Sequence, residues 1–208
     1  MPKLPKKEKG LRILAAADFQ GSSAVAESLA KKAEKEKVDL VILAGDIHGH
    51  QPSRNLIAPF IKRHQKVIFV PGNWDTTVDS NMIKDIYKIN NIDGSYTHYN
   101  GVDIIGIGSP DFALDIDTEK NLDKLINNFE KVSSKDSKKI LVSHIHARDT
   151  LAEFSGVPGS EIVRHVIDQF QPDIFISSHI HEAEGLEQKI GKTKVFQVGK
   201  KGKIIQID

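Results

Sequence analysis

Six apolar runs recur along the chain, each closed by a polar or glycine-containing turn: RILAAAD, VDLVILAGD, KVIFVPGN, VDIIGIGS, KKILVSH and PDIFISSH. Runs of strand length without polar alternation suit strands buried on both faces. Between and after them lie amphipathic stretches of helical period. Ser22 or Ser23 is placed to cap a helix running to about Lys37, and Ser53 one running to about His64. Further helices are expected from about Ser80 to Ile89, Thr118 to Val132 and Gly159 to Phe170. Strand followed by helix, repeated, predicts right-handed crossovers and a mainly parallel arrangement. Two segments interrupt that order. SYTHYNGVDIIGIG carries an Asn100-Gly101 pair suited to a tight hairpin, and GLEQKIGKTKVFQVGKKGKIIQID reads as a closing antiparallel meander turning at Gly191 and Gly202. The expected fold class is α/β, with two packed mixed β-sheets flanked by helices. Residues 11–208 are expected to form a single domain, preceded by a solvated basic tail over residues 1–10.

Composition narrows the setting. The chain has 208 residues and 39% hydrophobic content, enough for one sizeable core. Its 29 basic and 28 acidic residues leave a formal charge of +1, so no global field draws it to nucleic acid or a membrane surface. The absence of cysteine excludes disulfides and thiolate chemistry. No apolar run approaches the roughly 18 residues that would read as a membrane span, and no apolar signal segment follows the basic start. A cytoplasmic protein is the expectation.

The strand exits carry the chemistry. In open α/β sheets the ligand crevice lies beyond the carboxyl ends of the strands. There the chain places Asp18-Phe19-Gln20, Gly45-Asp46, Gly72-Asn73-Trp74-Asp75, Ser143-His144 and Ser178-His179-Ile180-His181. Five separate strands thus deliver Asp, Asp, Asn, His and a His pair to one edge. One Asp or Asn after a strand is usually a turn former; five exits with complementary ligand types point to a metal cluster. Asp46 has two carboxylate oxygens and can bridge two cations about 3.5 to 4 Å apart. Asp18, Gln20 and His181 would complete one ion's shell, and Asn73, His144 and His179 the other's. Gly45 and Gly72 would let the backbone bend tightly beside them. Imidazole, carboxylate and amide donors together suit manganese, iron or zinc better than calcium.

The series D-x-Q, GD, GNWD, SH and SHIH resembles the signature of the calcineurin-like metallophosphoesterases, which runs D-x-H, GD, GNH[DE], GH and GHxH. It spans Asp18 to His181 in the right order, and the chain is particularly similar to small archaeal and bacterial phosphoesterases. The resemblance implies an α/β/β/α sandwich, two divalent metal ions, and hydrolysis of phosphodiesters or phosphomonoesters by hydroxide activated between them. Manganese is foremost for the pair, with iron, zinc, nickel or magnesium as alternatives. A small phosphate ester is the implied partner. Nucleic acid is disfavoured, no membrane is involved, and a homodimer through the exposed closing strands stays open.

Three departures matter. Gln20 stands where the family has a histidine ligand, so the first ion should be held less tightly. Trp74 stands where the family has a histidine that, with its acidic neighbour, contacts substrate and can protonate the leaving group. Serine replaces glycine before His144 and His179, which should be tolerated. Asp46, Asn73, His146 and His48 are the candidate catalytic residues, the two histidines being close enough to the centre to supply the missing acid. Asp75 is read either as orienting a neighbour or as capping the next helix; Arg148 and Arg54 either grip phosphate or are solvated. The rival reading is a catalytically weak, metal-bound interaction module on the same fold, which Gln20 and Trp74 keep alive.

Overall fold

All six apolar runs become strands, and they divide between two sheets. The computed structural model describes residues 10–49, 54–132 and 137–208; Ser53 and nearly all of the basic tail lie outside them. In the first sheet, β1 (Leu11–Ala16), β2 (Leu40–Ala44), β3 (Val67–Val70) and the short β4 (Asn90–Asn91) run parallel. The second holds β5 (Ser95–Tyr99), β6 (Val102–Ile107), β7 (Lys138–Ser143), β8 (Ile174–Ser177), β9 (Glu187–Ile190) and β10 (Thr193–Gln197) in the order β5-β6-β7-β8-β10-β9. Strand β11 (Lys203–Ile207) returns to the first sheet and pairs antiparallel with β1.

The inner faces of the sheets meet in one apolar layer that includes Ile13, Ile42, Ile68, Ile104, Val142 and Ile176. Helices α1 (Ser23–Lys35) and α2 (Ala58–Ile61) cover the outside of the first sheet. Helices α4 (Glu119–Lys131) and α5 (Glu161–Phe170) cover the second, and α3 (Thr77–Tyr87) packs beside β4. Every central strand is therefore apolar on both faces, and burying each Ile or Leu is worth roughly 1.5–3 kcal/mol. Side-chain caps set the helix starts: Ser22 accepts from the Val25 N–H (3.3 Å), Thr118 from Asn121 (3.2 Å) and Ser160 from Val163 (3.2 Å).

Three expectations are corrected. Helix α2 is a single turn instead of a run to His64, because Pro59 is tolerated only in a first turn and His64 adopts a left-handed φ of 55°. Helix α3 begins at Thr77, capped by Thr76, so Asp75 is not the cap. The closing segment is not one meander. Strands β9 and β10 form a hairpin, but β10 also runs parallel to β8 and β11 joins the other sheet. The turn after β10 ties the sheets together, since Val198 donates to the Ser177 carbonyl (2.8 Å) and Ala17 donates to that of Gly199 (3.1 Å). The predicted hairpin at Asn100-Gly101 forms, with φ of 46° and 79°. Among the described residues, no helix is long and apolar enough to cross a membrane.

Candidate metal centre

Parallel strands of both sheets end at the same edge, and four strained residues lie there. Asp18 (φ 58°), Gln20 (48°), Asp46 (52°) and His179 (74°) all lie in the left-handed region that non-glycine residues avoid. Each such residue costs on the order of 1–3 kcal/mol and persists where the surroundings fix it. Gly45 and Gly72 make the crossing possible. Gly45 has φ 94°, and a Cβ there would lie 2.5 Å from His144 Nδ1; a Cβ on Gly72 would overlap the Asp46 carboxylate.

Asp18, Asp46 and His144 are all buried, and each presents a ligand atom within 4.8 Å of the other two. The Ser178 hydroxyl donates its one hydrogen to Asp18 Oδ2, with the Val198 carbonyl also within 2.9 Å of it, whereas Asp18 Oδ1 is buried without a hydrogen-bond partner. Two carboxylates out of water, one with an orphaned oxygen, call for a cation. The donor set fits a divalent ion.

The imidazoles are prepared for the same purpose. His144 Nδ1 lies 2.8 Å from the Ala44 carbonyl, which can only accept, so Nδ1 carries the hydrogen and Nε2 faces Asn73 Oδ1 (3.1 Å) and Asp46 Oδ1 (3.4 Å). Burial lowers the pKa of His144, but the hydrogen bond and charge of Asp46 outweigh it and raise it from 6.5 to about 9. His179, whose ring stands 5.2 Å from that of His144, goes the other way. Burial and then the charge of His144 push it down to about 4, leaving a neutral ring. His181 Nε2 approaches Asp18 Oδ1 at 3.6 Å. Asp18, Asp46, Asn73, His144, His179 and His181 are thus gathered at one edge.

The raised pKa of His144 gives a measurable consequence. The His144–Asp46 pair stabilises the fold fully below pH 6.5 and less as pH rises through about 9. A metal ion at Nε2 takes the place of that proton, so uptake of that ion at pH 7.5 is expected to release about one proton, falling towards zero above the raised pKa. Calorimetric titration in buffers of different ionisation enthalpy reads that number directly; release that does not change across this range would show that the site does not use Nε2.

Gln20 Oε1 accepts from Lys200 Nζ at 2.9 Å, and its Nε2 faces His181 Nε2 at 3.1 Å. Ser178, expected only to be tolerated, holds Asp18. Asp75 orients its neighbours: it accepts from the backbone N–H groups of Ile47 (3.3 Å), His48 (2.8 Å) and Gly72 (2.9 Å) and pairs with His48 Nδ1 at 3.0 Å. Burial lowers the pKa of His48, yet the Asp75 hydrogen bond and charge leave it raised. His146 differs. Its Nε2 reaches the Val157 carbonyl (3.2 Å), its Nδ1 is buried without a partner, and burial lowers its pKa. Trp74 donates its backbone N–H to Asp46 Oδ1 (2.9 Å) and sets its ring edge-on to Phe112 at 5.8 Å. Arg148 lies 3.7 Å from Glu153 and lines a separate outer cleft with Asp117 and Glu161; Arg54 lines an apolar cleft beside His48. No sequence signal marked Lys200, which sits in an ordinary-looking turn.

Comparison with known proteins agrees with this geometry. The calcineurin-like phosphoesterase profile matches residues 11–183, more than four-fifths of the chain. The chain belongs to the calcineurin-like phosphoesterase family. Membership makes it a phosphoric ester hydrolase of the metal-dependent class. A crystal structure from Thermus thermophilus shares the fold with a TM-score of 0.73 at 18% identity, over 96% of this chain and 100% of that one. A dimetal phosphatase from Danio rerio aligns with a TM-score of 0.62 at 14% identity, covering 91% and 88% of the respective chains. A structure described as a novel archaeal phosphodiesterase gives 0.56 at 15% identity, covering 95% and 100%. No protein of curated function matches the sequence. Within the family signature, this phosphoesterase keeps both aspartates, the asparagine and three histidines, and differs at Gln20, Trp74, Ser143 and Ser178.

Proposed function

We propose that this phosphoesterase hydrolyses small phosphodiesters, and phosphomonoesters with good leaving groups, at a centre for two divalent ions. The observation that carries the reading is the convergence of Asp18, Asp46 and His144 donor atoms within 4.8 Å around an orphaned carboxylate oxygen. Asp46, Asn73, His144 and His179 would hold one ion, and Asp18, Asp46 and His181 the other. Ions so held lower the pKa of a water towards neutrality and neutralise phosphoryl oxygens, with manganese the best match to these donors and iron, zinc, nickel or magnesium as alternatives.

The remaining steps belong to the protein's own groups. The Ala44 carbonyl fixes the tautomer of His144, and Ser178 fixes the rotamer of Asp18. His48 is the better proton donor of the two candidate histidines, because Asp75 holds Nδ1 and favours the cationic ring, leaving Nε2 its transferable hydrogen. His146, kept neutral by burial and donating to Val157, suits accepting a hydrogen bond. Asp75 thus has an imidazole partner from position 48, while position 74, where the family has a histidine, holds tryptophan.

The interaction-module reading is favoured by one feature, the turning of Gln20 towards Lys200. A direct assay separates the two. Purified protein should carry transition metal by elemental analysis and, with added manganese, turn over bis-p-nitrophenyl phosphate and p-nitrophenyl phosphate. Protein that binds metal but is inert to both esters is the module instead.

A further inference from the structure

The end of the centre built by Asp18 and His181 contains a cation of the chain's own. Lys200 Nζ lies 2.9 Å from Gln20 Oε1, and that amide in turn faces His181 Nε2 at 3.1 Å. Lys200, Asp18, His181, Glu184 and Gly199 line one cleft of about 60 Å³. The lysine is not carried on a loose loop. Its turn is held by Val198 N–H to the Ser177 carbonyl (2.8 Å), Ala17 N–H to the Gly199 carbonyl (3.1 Å), Lys201 N–H to Glu184 (2.7 Å) and Lys32 Nζ to the carbonyls of Lys201 (2.8 Å) and Gly202 (2.7 Å). Among the described residues, no carboxylate forms an ion pair with Lys200; Glu184 gives Oε1 to the Lys201 backbone instead.

We propose that the centre is asymmetric: one divalent ion is bound tightly by Asp46, Asn73, His144 and His179, while Lys200 supplies part of the positive charge at the Asp18–His181 end and binds a phosphoryl oxygen of the ester there. The inference rests on the phosphoesterase reading and deepens it. Three physical arguments support it. An ammonium lining the same cleft as Asp18 repels a dication there, and because Lys200 is exposed that repulsion weakens as salt is added. Gln20 already shares its oxygen with Lys200, which makes it a poorer donor to that ion. An ammonium is also a recognised point-charge partner for phosphate, with three donors of which Gln20 uses one. The chain has exchanged an imidazole ligand at position 20 for an amide that holds a lysine, and a site that loses a ligand while gaining a positive charge binds metal less tightly and anions more tightly.

Manganese binding followed by electron paramagnetic resonance tests this without using turnover. In the wild-type protein the first equivalent is expected to give the spectrum of an isolated ion, and the second to bind at least about tenfold more weakly, each tenfold being about 1.4 kcal/mol. Lys200→Met keeps the aliphatic stem and removes the charge. It should tighten the second manganese by about tenfold and weaken inorganic phosphate, titrated into the one-manganese protein, by a similar factor. Lys200→Arg should keep the wild-type pattern. Two manganese sites of equal affinity in the wild type, or a Lys200→Met protein unchanged in both measurements, overturns the proposal while leaving a hydrolase intact. Protein that binds neither manganese nor phosphate, and hydrolyses no ester, overturns the phosphoesterase reading itself.

Discussion

Asp46→Asn is expected to lower turnover of bis-p-nitrophenyl phosphate by a factor of about 10³, roughly 4 kcal/mol of lost barrier reduction, while the chain stays folded. The substitution keeps shape and removes one charge and one acceptor at the point where both halves of the centre meet. Asp46 is buried, its Oδ1 already receives the Trp74 N–H at 2.9 Å, and the same oxygen faces His144 Nε2 at 3.4 Å. An amide placed there must point its NH2 group either at the Trp74 N–H, another donor, or towards the cations. Removal of the charge also takes away the chief influence that raises the pKa of His144 to about 9, so the ring holds its proton less firmly. Two signals should therefore move together: metal content measured after gel filtration falls, and proton release on manganese uptake shrinks. Near-wild-type turnover with full metal content would show that Asp46 bridges nothing and that the chemistry lies elsewhere.

The fold and most of this centre were legible because each strand is buried on both faces and stops at a polar residue. Continuous runs such as DLVIL and DIFIS have no amphipathic alternative, and Ser22, Thr118 and Ser160 fix helix starts by a local hydrogen bond that depends on the residue itself. Asp18, Asp46, Asn73, His144, His179 and His181 follow, since a parallel sheet puts successive strand exits at one edge. What could not be read depends on distant partners. Strand β4 is two residues that pair only because β3 offers a free edge. Strand β11 leaves its hairpin neighbours for β1, a choice made by the turn bonded to both sheets. Lys200 and Gln20 are 180 positions apart, and no local pattern announces that one turns the other. The same holds for His48 and Asp75, separated by 27 positions.

That pairing sets the second large effect. His48→Gln is expected to lower kcat by about 10²-fold or more on esters with alkyl leaving groups, and by only a few-fold on p-nitrophenyl esters. An alkoxide leaves badly unless protonated as the P–O bond breaks, whereas p-nitrophenolate needs little help. Glutamine retains a hydrogen-bonding group of similar reach but cannot transfer a proton, so the contrast between leaving groups reports the acid and not the binding. His48 is the residue to change because Asp75 also accepts three backbone N–H groups, and altering it would disturb the turns at Ile47 and Gly72. The pH dependence follows with a definite sign. Asp75 raises the pKa of His48 above 6.5, so with alkyl esters the wild-type rate should fall as pH climbs past that raised value and the acid loses its proton. The fall should be absent in His48→Gln and faint with p-nitrophenyl esters. Equal losses on both ester classes, with the alkaline fall retained in the variant, would make His48 a phosphate-positioning group and return the proton to another donor. If the prediction holds, Trp74 is no mark of an impaired enzyme: the acid has moved across the turn to the residue that Asp75 grips.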